Sequence, residues 1–402
     1  MRIGIEAQRI FRKNKHGMDY VVLQEIKELQ QMDTGDEYFV FVKPGEDRCV
    51  EDSSNVHVIE LKCPSYPLWE QWALPRAAKK YGVELLHCTS NTAPIWCDIP
   101  LVLTLHDIIF LEPRDKSNKS LYQNLGWFYR RLVVPRILPK CLRIITVSNF
   151  EKDNIIRKLG IAEERMEMIY NGYNDWFRPI EHSTLNIEHY AAQDAADTAH
   201  SSMFNLQSSM FNVQCSMSNV QPGYFFFLGN TDPKKNTERT LVAYSKYLEQ
   251  SEVKRPLLMA DLDAGYLNDI IERNHIENIR EHLTMPGYIP NSELPAIYNN
   301  AFAFLYTSLR ESFGIPLLEA MACGTPVITS NTSSMPEIGG PDAILVNPES
   351  SDEITQMMLR LETDEAFYQQ QKQVGLQRAQ LFSWRKTAEQ LHQLYHNINI
   401  NH

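Results

Sequence analysis

Much of what would assign this chain to a familiar class is missing from it. No run among its 402 residues is apolar for the length that crosses a bilayer as a helix. The first residues, Met1-Arg2-Ile3-Gly4-Ile5, read directly as a strand and lack the basic start, apolar stretch and small-residue cleavage site of a secretory signal, so a cytoplasmic protein is expected. Cysteine is sparse and unpatterned. Cys49, Cys63, Cys88, Cys97, Cys141, Cys215 and Cys323 are scattered, odd in number and never in C-x-x-C spacing, which argues for reduced thiols and against disulfides or a zinc site. Positive charge is in deficit, 39 Lys and Arg against 50 Asp and Glu for a net −11, which argues against a nucleic-acid partner. No G-x-G-x-x-G follows the first strand, which argues against a nicotinamide dehydrogenase. No cluster with metal-ligand spacing stands out, and neither a metal nor a resident cofactor is expected.

What is present is a globular composition, 43% hydrophobic and 22% charged, in a chain too long for one ordinary core. Short apolar runs alternate with longer helical patterns, the signature of α/β domains with doubly wound parallel sheets. Strands are expected at 2–6, 38–42, 56–61, 84–88, 101–105, 142–147 and 166–170, with a helix over 17–31 and another opened by Ser148 as N-cap. The pattern restarts with strands at 224–228, 256–260, 283–285, 301–306, 326–329 and 344–346, and helices from about 236, over 294–299 and over 315–322. Two domains follow, 1–170 and 222–383. Between them lies a polar insert, 181–221, holding the near-identical copies SSMFNLQ, SSMFNVQ and CSMSNVQ. Their Met, Leu and Val residues fall at alternating spacings of three and four, as in a short coiled coil. Their Ser and Asn content makes a poor helix, however, and a poorly ordered expansion in a loop is the stronger expectation.

Ligands of doubly wound sheets bind at the carboxyl ends of the strands. One such end carries Glu311-Ser312-Phe313-Gly314-Ile315-Pro316-Leu317-Leu318-Glu319, two carboxylates eight residues apart across a loop-to-helix junction. Gly314 lets backbone approach a ligand, the helix start offers free N–H groups suited to a diphosphate, and Glu319 can accept hydrogen bonds from hydroxyls such as those of a ribose. Residues 117–140 form a second concentration: Lys119, Arg130, Arg131, Arg136 and Lys140 with no acidic residue, interleaved with Tyr122, Trp127, Phe128 and Tyr129. Such a segment suits either peripheral contact with anionic lipid or an aromatic face packed on its own sheet with a basic edge outward.

The segment 311–327 resembles the E-x7-E signature of the family-4 retaining glycosyltransferases of GT-B fold, whose two Rossmann-like domains face a cleft. The resemblance extends to Gly229-Asn230-Thr231-Asp232-Pro233-Lys234-Lys235-Asn236, to Thr146-Val147-Ser148-Asn149-Phe150, to Asn171-Gly172-Tyr173-Asn174, to His106-Asp107 and to Phe382-Ser383-Trp384. It implies that Lys235 neutralises the leaving diphosphate and that Glu311 orients the donor sugar. Glu319 would hold the nucleotide ribose, and the amides of Phe313, Gly314 and Ile315 would take sugar and phosphate oxygens. His106 would stand near the donor sugar and acceptor hydroxyl, and Gly17 would let the first loop approach the donor phosphate. The terminal helix, 384–402, would cross back onto the first domain. The implied partners are a nucleotide-sugar donor, with a lean to GDP-mannose, and a glycan or lipid-linked acceptor in surface-polysaccharide synthesis. Two departures stand out. Asn230 occupies a place where relatives often carry Arg, which Lys234 would offset, and Met259-Ala260-Asp261 lacks a strand-end glycine. A transferase using another nucleotide sugar, a sugar-nucleotide epimerase and a non-catalytic partner subunit remain open as alternatives.

Overall fold

The computed structural model describes residues 1–111, 121–180, 221–260 and 262–398. The insert repeats, Lys119 and Asp261 lie outside the described residues. The chain divides into two compact units, the first formed by Met1–Tyr173 and Phe382–His402 and the second by Asn174–Leu381.

The first unit is built on a seven-stranded sheet. Its strands are β1 (Arg2–Glu6), β2 (Glu37–Val42), β3 (Val56–Glu60), β4 (Leu85–Cys88), β5 (Leu101–Thr104), β6 (Cys141–Thr146) and β7 (Met166–Met168), in the order β3-β2-β1-β4-β5-β6-β7. All pairings are parallel. The chain leaves β1 towards one edge and returns at β4 to build the other, which opens a crevice at the carboxyl ends of β1 and β4. The strands read as near-continuous apolar runs because helices cover both faces. One face packs Ile3, Ile5, Val22, Ile26, Val40 and Leu85; the other packs Phe41, Trp69, Leu86, Leu103, Val134 and Ile144.

The helix Trp384–Asn397 completes the first of these faces. It is capped by Ser383, whose hydroxyl accepts from the Lys386 amide, and it buries Trp384, Thr387, Ala388, Leu391, Leu394 and Tyr395 at helical spacing. Its Thr387 hydroxyl donates to the carbonyl of Tyr170 at 2.7 Å, and Tyr395 meets His87 Nδ1 at 2.7 Å. Gly172 permits the approach, since a Cβ there would lie 2.1 Å from the Trp384 amide nitrogen.

The second unit repeats the plan with six parallel strands. These are β8 (Tyr224–Phe227), β9 (Leu257–Ala260), β10 (Leu283–Gly287), β11 (Ala301–Tyr306), β12 (Val327–Ser330) and β13 (Ile344–Val346), in the order β10-β9-β8-β11-β12-β13. Here the direction of winding reverses between β8 and β11. The strand pattern expected from sequence is the one observed, and the fold class is confirmed. β8 is Tyr-Phe-Phe-Phe and wholly buried, with Phe225 and Phe227 against Leu241, Tyr244, Leu257 and Leu305.

Candidate functional site

In the second unit the loops after β8 and β11 lie side by side at the switch point. The β8 loop is a chain of local turns. Asn230 Oδ1 accepts from the Asp232 amide at 2.8 Å, and Asp232 Oδ1 accepts from the Lys234 amide at 3.1 Å. Asn236 closes the loop in the left-handed region, φ 60°, a conformation asparagine tolerates. Its buried amide group donates to Thr307 O at 3.0 Å and Pro348 O at 2.7 Å, and Leu309 N donates to Lys234 O at 2.7 Å, so the two loops are stitched together.

That stitching brings Lys235 Nζ to 2.5 Å from Glu311 Oε1, with the ammonium 5.5 Å from the centre of the Tyr306 ring. Both side chains are mostly buried, at 20% and 14% exposure. An ammonium has three donors, so the pair leaves Lys235 able to bind an additional anion. Glu311 is fixed from behind by two serines that sequence reasoning missed. Ser333 Oγ accepts from the Glu311 amide at 3.1 Å, and Ser334 Oγ donates to the carbonyls of Glu311 and Phe313.

Gly314 starts the helix Ile315–Ala322 with φ +105°. No side chain caps this helix; Pro316 has no N–H and the Leu317 amide donates to the Gly314 carbonyl at 3.1 Å, so the Ile315 N–H is the helical donor placed for an outside acceptor. The backbone angle favours glycine, and a Cβ there would lie 2.5 Å from Met335 Cε, the free end of a thioether that would have to shift. Phe313 is buried beneath the turn, and Ile315 is the first helical residue. Glu319 lies one turn further along the helix. Burial pushes its carboxyl up to about 8, against a hydrogen bond from the Tyr298 hydroxyl at 3.5 Å that works the other way. A carboxyl so placed is largely protonated at neutral pH and can both donate to and accept from hydroxyls.

Lys234 and Asn230 belong to the same β8 loop. Lys234 Nζ lies 3.5 Å from Asp232 Oδ2, with both side chains well exposed at 39% and 49%. Asn230 is exposed, with its carbonyl accepting from Thr237 Oγ1 at 2.7 Å.

In the first unit His106 follows β5. Its Nε2 lies 3.0 Å from the carbonyl of Thr89. A carbonyl only accepts, so Nε2 carries the proton and Nδ1 of the neutral ring is an acceptor. Burial, opposed by the Thr89 hydrogen bond and Asp107, lowers the pKa, which keeps the ring neutral at physiological pH. Asp107 instead caps its own turn, accepting from the Ile109 amide at 3.0 Å. Gly17 begins the helix Gly17–Gln30, with open space where a Cβ would stand.

Two groups here escaped the sequence reading. The loop between β1 and that helix carries Arg9, Arg12, Lys13 and Lys15 with no acidic residue. Of these, Arg9 and Arg12 pair with buried Asp19, Arg9 at 3.3 Å, and Lys15 pairs with Asp47. Four cations in one strand-to-helix loop of an acidic chain were the available signal. The second group is Glu70, fully buried on a π-helical stretch, Trp69–Ala73. Its carboxylate accepts from Tyr66 OH at 2.7 Å and Gln71 Nε2 at 2.8 Å, and also from Thr92 and Tyr129. Burial raises its pKa while these hydrogen bonds oppose the rise.

Two parallel-sheet units with this winding have the plan of the GT-B fold. Two family models bear on the chain: the one described as "Glycosyltransferase Family 4" matches residues 16–176, and the one described as "Glycosyl transferases group 1" matches residues 214–378. The chain belongs to the family-4 glycosyltransferases. It is 33% identical over 172 residues to the O-antigen chain mannosyltransferase B of Escherichia coli, covering 42% of this chain and 44% of that protein. It is 33% identical over 310 residues to the serotype-specific mannosyltransferase WbdA of Escherichia coli, covering 75% of this chain and 34% of the relative. The chain thus spans less than half the length of these relatives. Among solved structures, sucrose-phosphate synthase from Thermosynechococcus elongatus superposes with a TM-score of 0.70 at 20% identity, over 98% of both chains. Anabaena HepE, in complex with UDP and glucose, superposes at 0.66 with 15% identity, over 98% of this chain and 99% of that one. These two likenesses speak for the fold alone.

Proposed function

We propose that the chain transfers a mannosyl residue from GDP-mannose to a glycan or lipid-linked acceptor, with retention at the anomeric carbon, in the assembly of a surface polysaccharide of the O-antigen type. The observation that carries the reading is the Lys235–Glu311 pair held beside the uncapped start of the helix 315–322. The lean to mannose and to O-antigen rests on the names of the relatives.

In this reading the diphosphate lies against the amides near Gly314 and Ile315, with the Lys235 ammonium on it. Glu311 accepts hydrogen bonds from the sugar hydroxyls and Glu319 holds the ribose. The bond from the anomeric carbon to the phosphate oxygen breaks, and the bond to the acceptor oxygen forms on the same face. The acceptor's proton passes to the departing phosphate. Negative charge grows on the diphosphate as the bond stretches, and stabilising that charge is the main catalytic task. Lys235 and the helix start meet it, so the scheme calls for no divalent ion. In the first unit, His106 offers its Nδ1 as acceptor for a hydroxyl.

Among the described residues no helix is long and apolar enough to cross a membrane. The helix Leu121–Ile137 nonetheless exposes Leu125, Phe128 and Leu132 along one side, while Val133, Val134 and Ile137 are buried and Arg131 stacks 4.4 Å over Trp127. Exposed apolar residues among Arg130, Arg131 and Arg136 suit weak docking on anionic lipid, where a lipid-linked acceptor resides.

Melting the protein with GDP, UDP, ADP and dTDP tests the donor reading. A base-selective rise of about 2.7 kcal/mol in stability is expected when a ligand is present at a hundred times its dissociation constant. Lys235→Ala should keep the fold and lower the turnover rate by about 10²–10³. No response to any nucleotide, or full turnover in Lys235→Ala, overturns the proposal.

A further inference from the structure

In the first unit, three donor atoms from distant parts of the sequence converge on one point. Asp36, immediately before β2, is buried with 2% of its side chain exposed. His392 and His396 sit one turn apart on the helix 384–397 and project from the same face. His396 Nε2 lies 2.8 Å from Asp36 Oδ2, and His392 Nδ1 lies 3.1 Å from the same oxygen. The three atoms all lie within 4.8 Å of one another, with the imidazole centroids 4.6 Å apart. The other carboxylate oxygen, Oδ1, is occupied by the Met1 amino group at 2.9 Å, which fixes the carboxylate so that Oδ2 faces the two rings.

We infer that Asp36, His392 and His396 form a binding site for a divalent transition ion of the zinc class, separate from the transfer chemistry. Two histidines at i and i+4 on one helix face with a carboxylate from a second element are a ligand set that zinc favours. Tetrahedral zinc with bonds of about 2.0–2.2 Å spaces its ligand atoms about 3.2–3.6 Å apart, so the two Asp–His spacings of 2.8 and 3.1 Å need only small outward shifts to accept an ion. Hydrogen bonding alone accounts for the group less well. His392 Nδ1 is buried yet makes no well-directed hydrogen bond, although it stands 3.1 Å from Oδ2. A bound ion would use that nitrogen, and water would complete the fourth position. The sequence reading found no metal cluster because Asp36 and His396 are 360 positions apart. The ion would tie the helix 384–397 to the amino end of β2 and so act on stability.

Isothermal titration of the EDTA-treated full chain with zinc chloride tests the site, alongside melting with and without the ion. One equivalent per chain is expected, with a rise in melting temperature that magnesium does not reproduce. His396→Ala removes an exposed ligand and leaves the fold intact, and His392→Gln/His396→Gln removes both rings. Each should weaken zinc binding roughly tenfold or more and abolish the melting shift. Cobalt in place of zinc should give a spectrum without thiolate charge transfer, which separates this site from Cys49, Cys63 or Cys97. Absence of stoichiometric binding, unchanged affinity in the double variant, or a thiolate spectrum overturns the inference. None of these readouts depends on sugar transfer.

Discussion

Replacing Gly314 by alanine tests the donor-side turn directly. The glycine holds φ +105° at the start of the helix 315–322. An L side chain in such a sparsely populated region costs about 1–3 kcal/mol. The new Cβ would also lie 2.5 Å from Met335 Cε and 3.5 Å from Tyr306 Cε1. Overpacking of this kind costs about 1–3 kcal/mol, and the lower end applies because Cε is the free end of a flexible thioether. Together these give about 2–4 kcal/mol. A unit of about 200 residues loses roughly 2–4 °C of melting temperature per kcal/mol, so a fall of roughly 4–16 °C is expected. The two parts separate in a double-mutant cycle with Met335→Ala. Removing the thioether relieves the overlap and leaves the backbone strain, so Gly314→Ala should cost about 1 kcal/mol less in the Met335→Ala background. Urea unfolding measures all four proteins. A melting temperature within about a degree of the parent, or strict additivity in the cycle, refutes the reasoning.

Glu319 makes stability depend on pH with a definite sign. Its folded pKa of about 8 exceeds the ordinary 4.5, so the stabilising contribution is complete below about pH 4.5 and lost as pH rises to 8; Glu319→Gln should flatten that decline, and parallel melting curves for the two proteins from pH 5 to 8.5 would contradict it. Gly172→Ala drives a methyl against the Trp384 backbone, 2.1 Å from its amide nitrogen, and should loosen the terminal helix, seen as faster hydrogen exchange across 384–397. Phe128→Ser with Leu132→Ser should reduce co-sedimentation with anionic liposomes without changing soluble donor binding; equal sedimentation at low salt removes the docking surface from the account.

The alternation of apolar runs and helical periods made both sheets legible, because strands buried on two faces leave unbroken signals such as Tyr224–Phe227. The segment 311–319 was legible because its two carboxylates and its glycine are local. Ser333 and Ser334 were not, since single serines carry no period and their partners Glu311 and Phe313 lie 21 to 23 positions away. Glu70 was hidden for the same reason. Its partners lie as far off as Tyr129, and on the page it is one acidic residue beside two tryptophans.

The return of the helix 384–397 to the first unit also sets an order of events during synthesis. Ile3, Ile5, Val22 and Ile26 leave the ribosome first, yet the residues that cover them, Ala388, Leu391, Leu394 and Tyr395, leave after the whole second unit. At about 5–20 residues per second, the ~200 intervening residues take about 10–40 s to appear. For that interval the part of the first unit's core that this helix covers lies open beside the helix 17–30, and the second unit is free to fold ahead of the one that precedes it in sequence. Closure of the first unit's core therefore waits on residues made after the second unit.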